Sequence, residues 1–453
     1  RRDSVLSAME RIGGFRGIEI LPCIGADKPE HYRNKAVFQF ANAEKTNKKN
    51  LRQVLSGYYE QKSHKLVPVE TCMIQNEEAM TAKRIVAEWA NLFDIRAFDE
   101  KQKSGTLRQL MVRRTEGGTM AAIVTTGALP HSDELVSMLK RGLPSLASCI
   151  HGINRNPRDP GIGSKTELLF GSAELAETVC GLKFNVGAHS FLQVNPEQTQ
   201  KLYLAAANAL NLTANDDVAD VFCGIGTISL LLAQRARSVL GIEAVPPAVK
   251  DARRNAKLNN IKNAVFICAN AETALPRLVA EGKRFSAILL DPPRRGAEKP
   301  ALDAIVNSGA ERIAYVSCNP ATLARDCKIL AAAGYSPMSV QPVDMFPMTH
   351  HVETVCLLSK LKSTQHIEVE VKMDEMDLTD AEKKATYQEI KDYVLEHSGL
   401  KVSSLYIAQV KQKCGIIVRE NYNKPKSEDA KQPQCPPDKE KAIKEALNHF
   451  GMI

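Results

Sequence analysis

No stretch of this chain is apolar for anything near the roughly 18 residues that a membrane-spanning helix needs. No two of its 11 cysteines stand as a CxxC pair, and their number is odd, so no disulfide framework is written into it. No GxxxxGK[ST] loop is present, which removes a common cradle for nucleotide phosphates. No signal-peptide segment opens the chain, which starts Arg1-Arg2-Asp3 without a methionine. These absences leave a cytoplasmic protein with reduced thiols as the expectation, and the missing Met suggests a chain that is incomplete at its N-terminus.

What is present suits a multi-domain enzyme. The 453 residues exceed one simple core, so two or three domains are expected. Hydrophobic residues at 44% and charged residues at 25% match ordinary globular chains. The net charge of +8 is not spread evenly. Residues 1–360 carry 45 basic and 36 acidic side chains, whereas residues 361–453 carry 15 and 16. That excess fits a polyanionic partner such as RNA, and fits an ordinary basic enzyme equally well.

Short β-branched and aromatic runs over 18–22, 36–40, 110–113 and 121–125, with helical spacing over 77–92 and 133–141, predict an α+β region. Gly117-Gly118 reads as a hairpin turn. Asn195-Pro196 then caps a helix to Leu210. Beyond it, strands over 218–222, 238–242, 265–268, 286–290 and 312–317 alternate with helices, the pattern of a parallel sheet wrapped by helices. Two more strands follow, over 339–343 and 352–358. After Lys360 the composition shifts. An acidic stretch over 369–380 precedes helices over 387–397 and 403–413, a Lys/Pro/Gln-rich linker over 423–437 and a helix over 439–450. The domains expected are 1–187, 188–361 and 362–453.

The first alternating strand runs into Asp220-Val-Phe222-Cys-Gly224-Ile-Gly226-Thr227, whose glycines let backbone approach a ligand. Ser229 stands where a dinucleotide motif wants a third glycine. The second strand ends at Glu243, a carboxylate suited to both hydroxyls of a ribose. A glycine turn and a ribose acid without a pyrophosphate signature describe a site for S-adenosylmethionine. Asp291-Pro-Pro-Arg294 follows the fourth strand as a stiff loop at the ligand-binding edge. Ser317-Cys318-Asn319-Pro320 follows the fifth and puts a thiol beside a helix N-terminus, which favours a thiolate. The other ten cysteines read as core thiols. A nucleophilic thiol next to a methyl donor suits methylation of uracil, because thiolate addition to C6 makes C5 nucleophilic. The C5 proton then needs a base, and Glu353 in His350-His351-Val-Glu353 supplies one. The two histidines have no third ligand at metal spacing.

In order along the chain, His31-Tyr-Arg-Asn-Lys35, Phe191-Leu-Gln193-Val-Asn195, the glycine turn, Asp291-Pro-Pro-Arg294, Ser317-Cys-Asn-Pro320 and His350-His-Val-Glu353 resemble the RNA uracil-C5 methyltransferases of tRNA and 23S rRNA. The resemblance spans about residues 1–361. It implies an α/β fold: a Rossmann-like S-adenosylmethionine methyltransferase domain, a preceding α+β RNA-binding domain and, beyond the family core, a small helical C-terminal extension. It implies Cys318 as nucleophile, Glu353 as proton acceptor, and Gln193, Phe222, Glu243 and Asp291 as S-adenosylmethionine contacts. The implied partner is RNA, 23S rRNA ahead of tRNA, bound by a monomeric cytoplasmic enzyme. Arg33, Lys35, Arg113 and Arg114 are candidate phosphate contacts.

Many family members carry an N-terminal TRAM domain and an iron–sulfur cluster, and this chain begins after both. Cys72 matches the place of the last cluster cysteine. It reads either as a ligand whose partners lie upstream or as a plain thiol. The two short helices after 387 resemble a helix-turn-helix, and a protein-contact or spacer role fits them as well.

Overall fold

The computed structural model describes the chain except for residues 47–51, 61–62, 157–158, 160, 361–386, 415, 417–434 and 453. Contacts divide it into two units, Arg1–Ser363 and Thr364–Ile453. The first unit contains two seven-stranded sheets and a separate hairpin. Among the described residues, no helix is long and apolar enough to cross a membrane.

Helix α1 (Arg2–Arg11) opens the chain and buries Val5 and Met9. The strand expected over 18–22 does not form. Only single bridges appear, Ile20 to Val340 and Ile24 to Val343, because Pro22 has no N–H with which to continue a ladder.

The first sheet is built from β1 (Lys35–Thr46), β2 (Arg52–Tyr59), β3 (Leu66–Pro68), β4 (Leu107–Thr115), β5 (Gly118–Thr125), β6 (Leu146–Ile153) and β7 (Lys165–Gly171). The helices α2 (Glu77–Leu92) and α3 (Ser132–Gly142) are interleaved with these strands. The strand order is β3-β2-β1-β4-β5-β6-β7. Neighbours run antiparallel except β5 and β6, which α3 joins as a crossover. Gly117-Gly118 does turn the β4–β5 hairpin. Asn76 caps α2 by accepting from the Ala79 N–H at 2.8 Å, and α2 buries Val86, Trp89 and Ala90 in the core beneath the sheet. The hairpin β8 (Glu174–Val179) and β9 (Leu182–Gly187) follows.

The capped helix α4 (Pro196–Ala209) leads into the second sheet, with the Asn195 side chain accepting from the Gln198 N–H. The elements that follow are β10 (Asp217–Val221), α5 (Thr227–Ala233), β11 (Ser238–Glu243), α6 (Pro246–Leu258), β12 (Ala264–Cys268), α7 (Ala271–Ala280), β13 (Ala287–Leu290), α8 (Lys299–Asn307), β14 (Arg312–Ser317), α9 (Pro320–Ala332), β15 (Tyr335–Val343) and β16 (Glu353–Lys360). The order is β12-β11-β10-β13-β14-β16-β15. The strands β10 to β14 pair in parallel, and β16 runs antiparallel to both neighbours. This is the expected Rossmann-like sheet. Strand order reverses at β10, and such a reversal opens a crevice beyond the carboxyl ends of the strands.

In the second unit, α10 (Tyr387–Ser398), α11 (Ser404–Lys413) and α12 (Pro437–His449) bury Ile390, Val394, Ile407, Val410, Ile443 and Leu447 together. Gly399, at φ +69°, ends α10, and the Ser403 hydroxyl caps α11. The acidic stretch over 369–380 and most of the linker over 423–437 lie outside the described residues.

Candidate active site

Two cavities adjoin at the carboxyl edge of the second sheet. The first, about 460 Å³, is lined by Phe222, Gly224, Glu243, Asn270, Asp291 and their neighbours. The chain leaves β10 through Phe222, held at φ +71°, a conformation a bulky residue keeps only where its surroundings impose it. Gly224 (φ +56°) and Gly226 (φ +83°) complete the turn. A Cβ on Gly224 would meet open space, whereas one on Gly226 would press on the Phe266 ring at 3.1 Å. Glu243 braces this turn. One carboxylate oxygen accepts from the Gly224 N–H at 3.0 Å and the other from the Val245 N–H at 2.8 Å. Each oxygen keeps a second lone pair for a ligand hydroxyl.

Asp220 and Asp291 lie at the floor of this cavity. Burial pushes Asp220 up to about 7, against a hydrogen bond from the Ser229 hydroxyl and helped by the charge of Glu243. Burial and the neighbouring Asp220 push Asp291 up to about 7 as well. A glycine turn, a braced carboxylate and two acids without a paired cation among the described residues fit a nucleoside that carries a positive centre, as S-adenosylmethionine does.

The second cavity, about 470 Å³, shares Phe191, Asp291 and Pro293 with the first and adds Arg33, Gln193, Arg294, Cys318, Phe346, His351 and Glu353. The register of β14 with β16 runs from Arg312 opposite Ser359 to Ser317 opposite Thr354. One step further along that register sets Cys318 against Glu353. Asn319 caps α9, accepting from the Ala321 N–H at 3.0 Å, and its amide donates to the Arg294 carbonyl at 3.3 Å. The Asp-Pro-Pro-Arg loop and the Cys318 turn are therefore tied together. Phe191, 65% exposed, stands where the two cavities meet.

The structure changes the electrostatic expectation for Cys318. The thiol does sit just ahead of a capped helix. Burial, however, together with Glu353 and Asp291, raises it above its ordinary value, and Arg294 offsets only part of that. Glu353 is raised well above the carboxylate range by burial and by Asp291, with Arg294 again opposing. His351 is held below its ordinary value by burial and by His350, Arg294, Arg1 and Arg33.

Other expected residues fall as follows. Phe222, Glu243 and Asp291 line the first cavity, and Gln193 lines the second. Arg33 faces the second cavity, and its Nε is buried with no hydrogen-bond partner among the described residues. Arg113 is not available to a phosphate. It is 1% exposed and donates to the carbonyls of Gly187 (3.1 Å) and Ser190 (2.5 Å). Arg114 pairs with Glu78 at 3.2 Å. Cys72 lies half-buried between β3 and α2, and no group of metal-ligating side chains occurs among the described residues. Sequence reasoning passed over Asp220 as a site residue. Its signal was an acid inside an otherwise apolar strand, Val218-Ala-Asp220-Val-Phe222.

A family model described as tRNA (Uracil-5-)-methyltransferase matches residues 179–361. A relative from Halalkalibacterium halodurans, named an uncharacterized RNA methyltransferase, is 40% identical over 361 residues, 79% of this chain and 77% of its own. Another so named, from Caldanaerobacter subterraneus subsp. tengcongensis, is 40% identical over 364 residues, 80% of this chain and 79% of its own. Among solved structures, the tRNA (uracil-54, C5)-methyltransferase of Pyrococcus abyssi in complex with S-adenosyl-L-homocysteine superposes with a TM-score of 0.62 at 25% identity, covering 79% of this chain and 83% of that one.

Proposed function

We propose that this chain, which belongs to the RNA uracil-C5 methyltransferase family, methylates C5 of a uridine through a covalent bond between Cys318 and C6 of the base. The observation that carries the reading is the pair Cys318 and Glu353 in one cavity that meets the donor cleft at Asp291.

Uracil C5 is a weak nucleophile. Cys318 gives up its thiol proton to solvent and its Sγ bonds C6, and the electron pair of the C5–C6 double bond moves toward C5 and O4. Arg294 eases the thiolate, and the guanidinium of Arg33, which lines the same cavity, supplies a donor for a base oxygen. S-adenosylmethionine, when bound, supplies an electrophilic methyl carbon on a sulfonium. We assign Phe222, Glu243 and Asp291 to holding that donor, with Gln193 reaching it from the adjoining cavity. Glu353, as carboxylate, removes the C5 proton, and the Sγ–C6 bond breaks to restore Cys318. A carboxyl raised by burial is the stronger base once ionised, at the expense of the fraction ionised near neutral pH.

The preferred substrate is 23S rRNA, supported by the correspondence of Cys72 to a cluster ligand, which would need further cysteines upstream. A tRNA substrate is the second reading, favoured by the Pyrococcus abyssi neighbour. The same reading takes the enzyme to be cytoplasmic and monomeric. Incubation with tritiated S-adenosylmethionine and unmodified 23S rRNA or tRNA, followed by mapping of the label, tests the reading and names the substrate. Cys318→Ala should lower transfer by roughly 10⁴-fold or more, the scale seen when a catalytic nucleophile is lost. Glu353→Gln should leave a protein–RNA adduct that survives denaturing electrophoresis. Absence of label at uracil C5 in either RNA would overturn the proposal.

A further inference from the structure

Between β15 and β16 the chain makes a turn through Asp344-Met-Phe346-Pro-Met348-Thr-His-His351, and side chains from distant segments hold its backbone. Arg1 donates to the Phe346 carbonyl at 3.0 Å, the Tyr32 hydroxyl to the Pro347 carbonyl at 3.1 Å, Asn195 to the Met345 carbonyl at 3.1 Å and Gln198 to the Asp344 carbonyl at 3.0 Å. The Thr349 hydroxyl closes the turn onto the Phe346 carbonyl at 2.8 Å.

At the tip of this clamped turn Met348 takes φ +63°, a left-handed conformation with no glycine or asparagine to ease it. The residue is 59% exposed. The surroundings impose a costly backbone and leave a long apolar side chain in water. Phe346 and His351, either side of it in the chain, line the cavity of Cys318. A second exposed methionine, Met73 (52%), accepts at its carbonyl from the His31 N–H at 2.7 Å. The two methionines are thus held through adjacent residues, Met73 by His31 and Met348, by way of Pro347, by Tyr32. The next residue, Arg33, faces into the cavity, as does Arg294.

We propose that Met348 is an apolar wedge that enters the base stack of the RNA at the position the target uridine leaves, with Met73 as a flanking apolar contact. Exposed apolar tips on the segments that send Phe346, His351 and Arg33 into a cavity that takes one base suit RNA whose neighbouring bases are being unstacked. The inference rests on the reading of that cavity as the uridine site. The wedge lowers the cost of extracting a stacked uridine and does nothing for one already unstacked.

The test uses two RNA hairpins bearing the target sequence, alike except that the uridine is paired within the stem in one and bulged in the other. Both carry 2-aminopurine on the 3′ side of the uridine. Met348→Ala should lower kcat/KM on the stacked RNA by on the order of tenfold and on the bulged RNA by less than about threefold. It should also diminish the rise in 2-aminopurine fluorescence on binding the stacked RNA, and Met348→Leu should restore both. Equal losses on the two hairpins would mean a merely structural role, and no loss on the stacked one would mean no wedge. Either result overturns the proposal while wild-type transfer continues. Failure of the wild type on both hairpins and on the natural RNAs would remove the underlying reading itself.

Discussion

In the first sheet Arg113 is buried to 1% exposure and is answered on two sides by the carbonyls of Gly187 and Ser190. At the edge of the second sheet Asp220 and Glu353 are buried and Asp291 half-buried, and none of them forms an ion pair among the described residues. Burial lowers Arg113 to about 10, against the charge of Glu177, yet leaves it cationic at any physiological pH. The same force raises the three acids toward neutrality. The contrast separates two uses of buried charge. A satisfied ion ties chain segments together. Acids left without a cation hold a site in a state that a ligand relieves.

The largest expected effect on stability tests the first half of that contrast. Arg113→Leu leaves two carbonyls of the 187–190 segment unanswered and should cost about 2–5 kcal/mol in urea unfolding. A variant as stable as the parent would show that the guanidinium ties nothing.

The second half predicts the opposite sign. An acid whose folded pKa is raised binds its proton in the folded state when the unfolded chain has already lost it. Its contribution to stability is therefore intact below pH about 4 and lost as pH rises through about 7. Asp291→Asn removes one such group. The ligand-free variant should match the parent near pH 4 and exceed it by up to a few kcal/mol at pH 8, since a tenfold change in proton affinity is worth about 1.4 kcal/mol. The same substitution should weaken binding of S-adenosylhomocysteine in calorimetry. A variant no more stable than the parent at pH 8 would mean that Asp291 is satisfied in the ligand-free protein after all.

The same contrast governs what could be read in advance. The parallel strands β10, β11, β13 and β14 are covered on both faces and appear as near-continuous apolar runs, with Asn195 and Asn319 marking helix starts. The first sheet hid β2, β3, β6 and β7. In β7 the residues Lys165, Thr166 and Glu167 face solvent, and no alternation stands out. Helix α1 was missed because only Val5 and Met9 are buried in a polar stretch. Cys318 and Glu353 were legible because each adjoins a local signal, a helix cap and a strand start. The convergence of Arg33 and Phe346 on the same cavity was not, since nothing local links positions so far apart. The direction in which the Cys318 thiol moves was also out of reach, because it depends on Asp291 and Glu353 arriving from other strands.

Tyr32 joins the two regions, and removing its hydroxyl gives the smallest effect and the finest test. The phenol is held above its ordinary value chiefly by burial, so it stays protonated and donates to the Pro347 carbonyl. Tyr32→Phe keeps the ring and leaves one buried carbonyl short of a donor, a cost of about 1 kcal/mol. The clamp on the 344–351 turn loosens at one point of several, so stability should fall slightly, and kcat/KM on structured RNA should fall by about fivefold or less, mainly through kcat. If stability fell as far as in Arg113→Leu, the segment before β1 would be part of the first sheet's structural tie. If kcat fell with stability unchanged, Tyr32 would belong with the catalytic edge of the second sheet, and the boundary between the two uses of buried polar groups would have to be drawn through the His31-Tyr32-Arg33 segment itself.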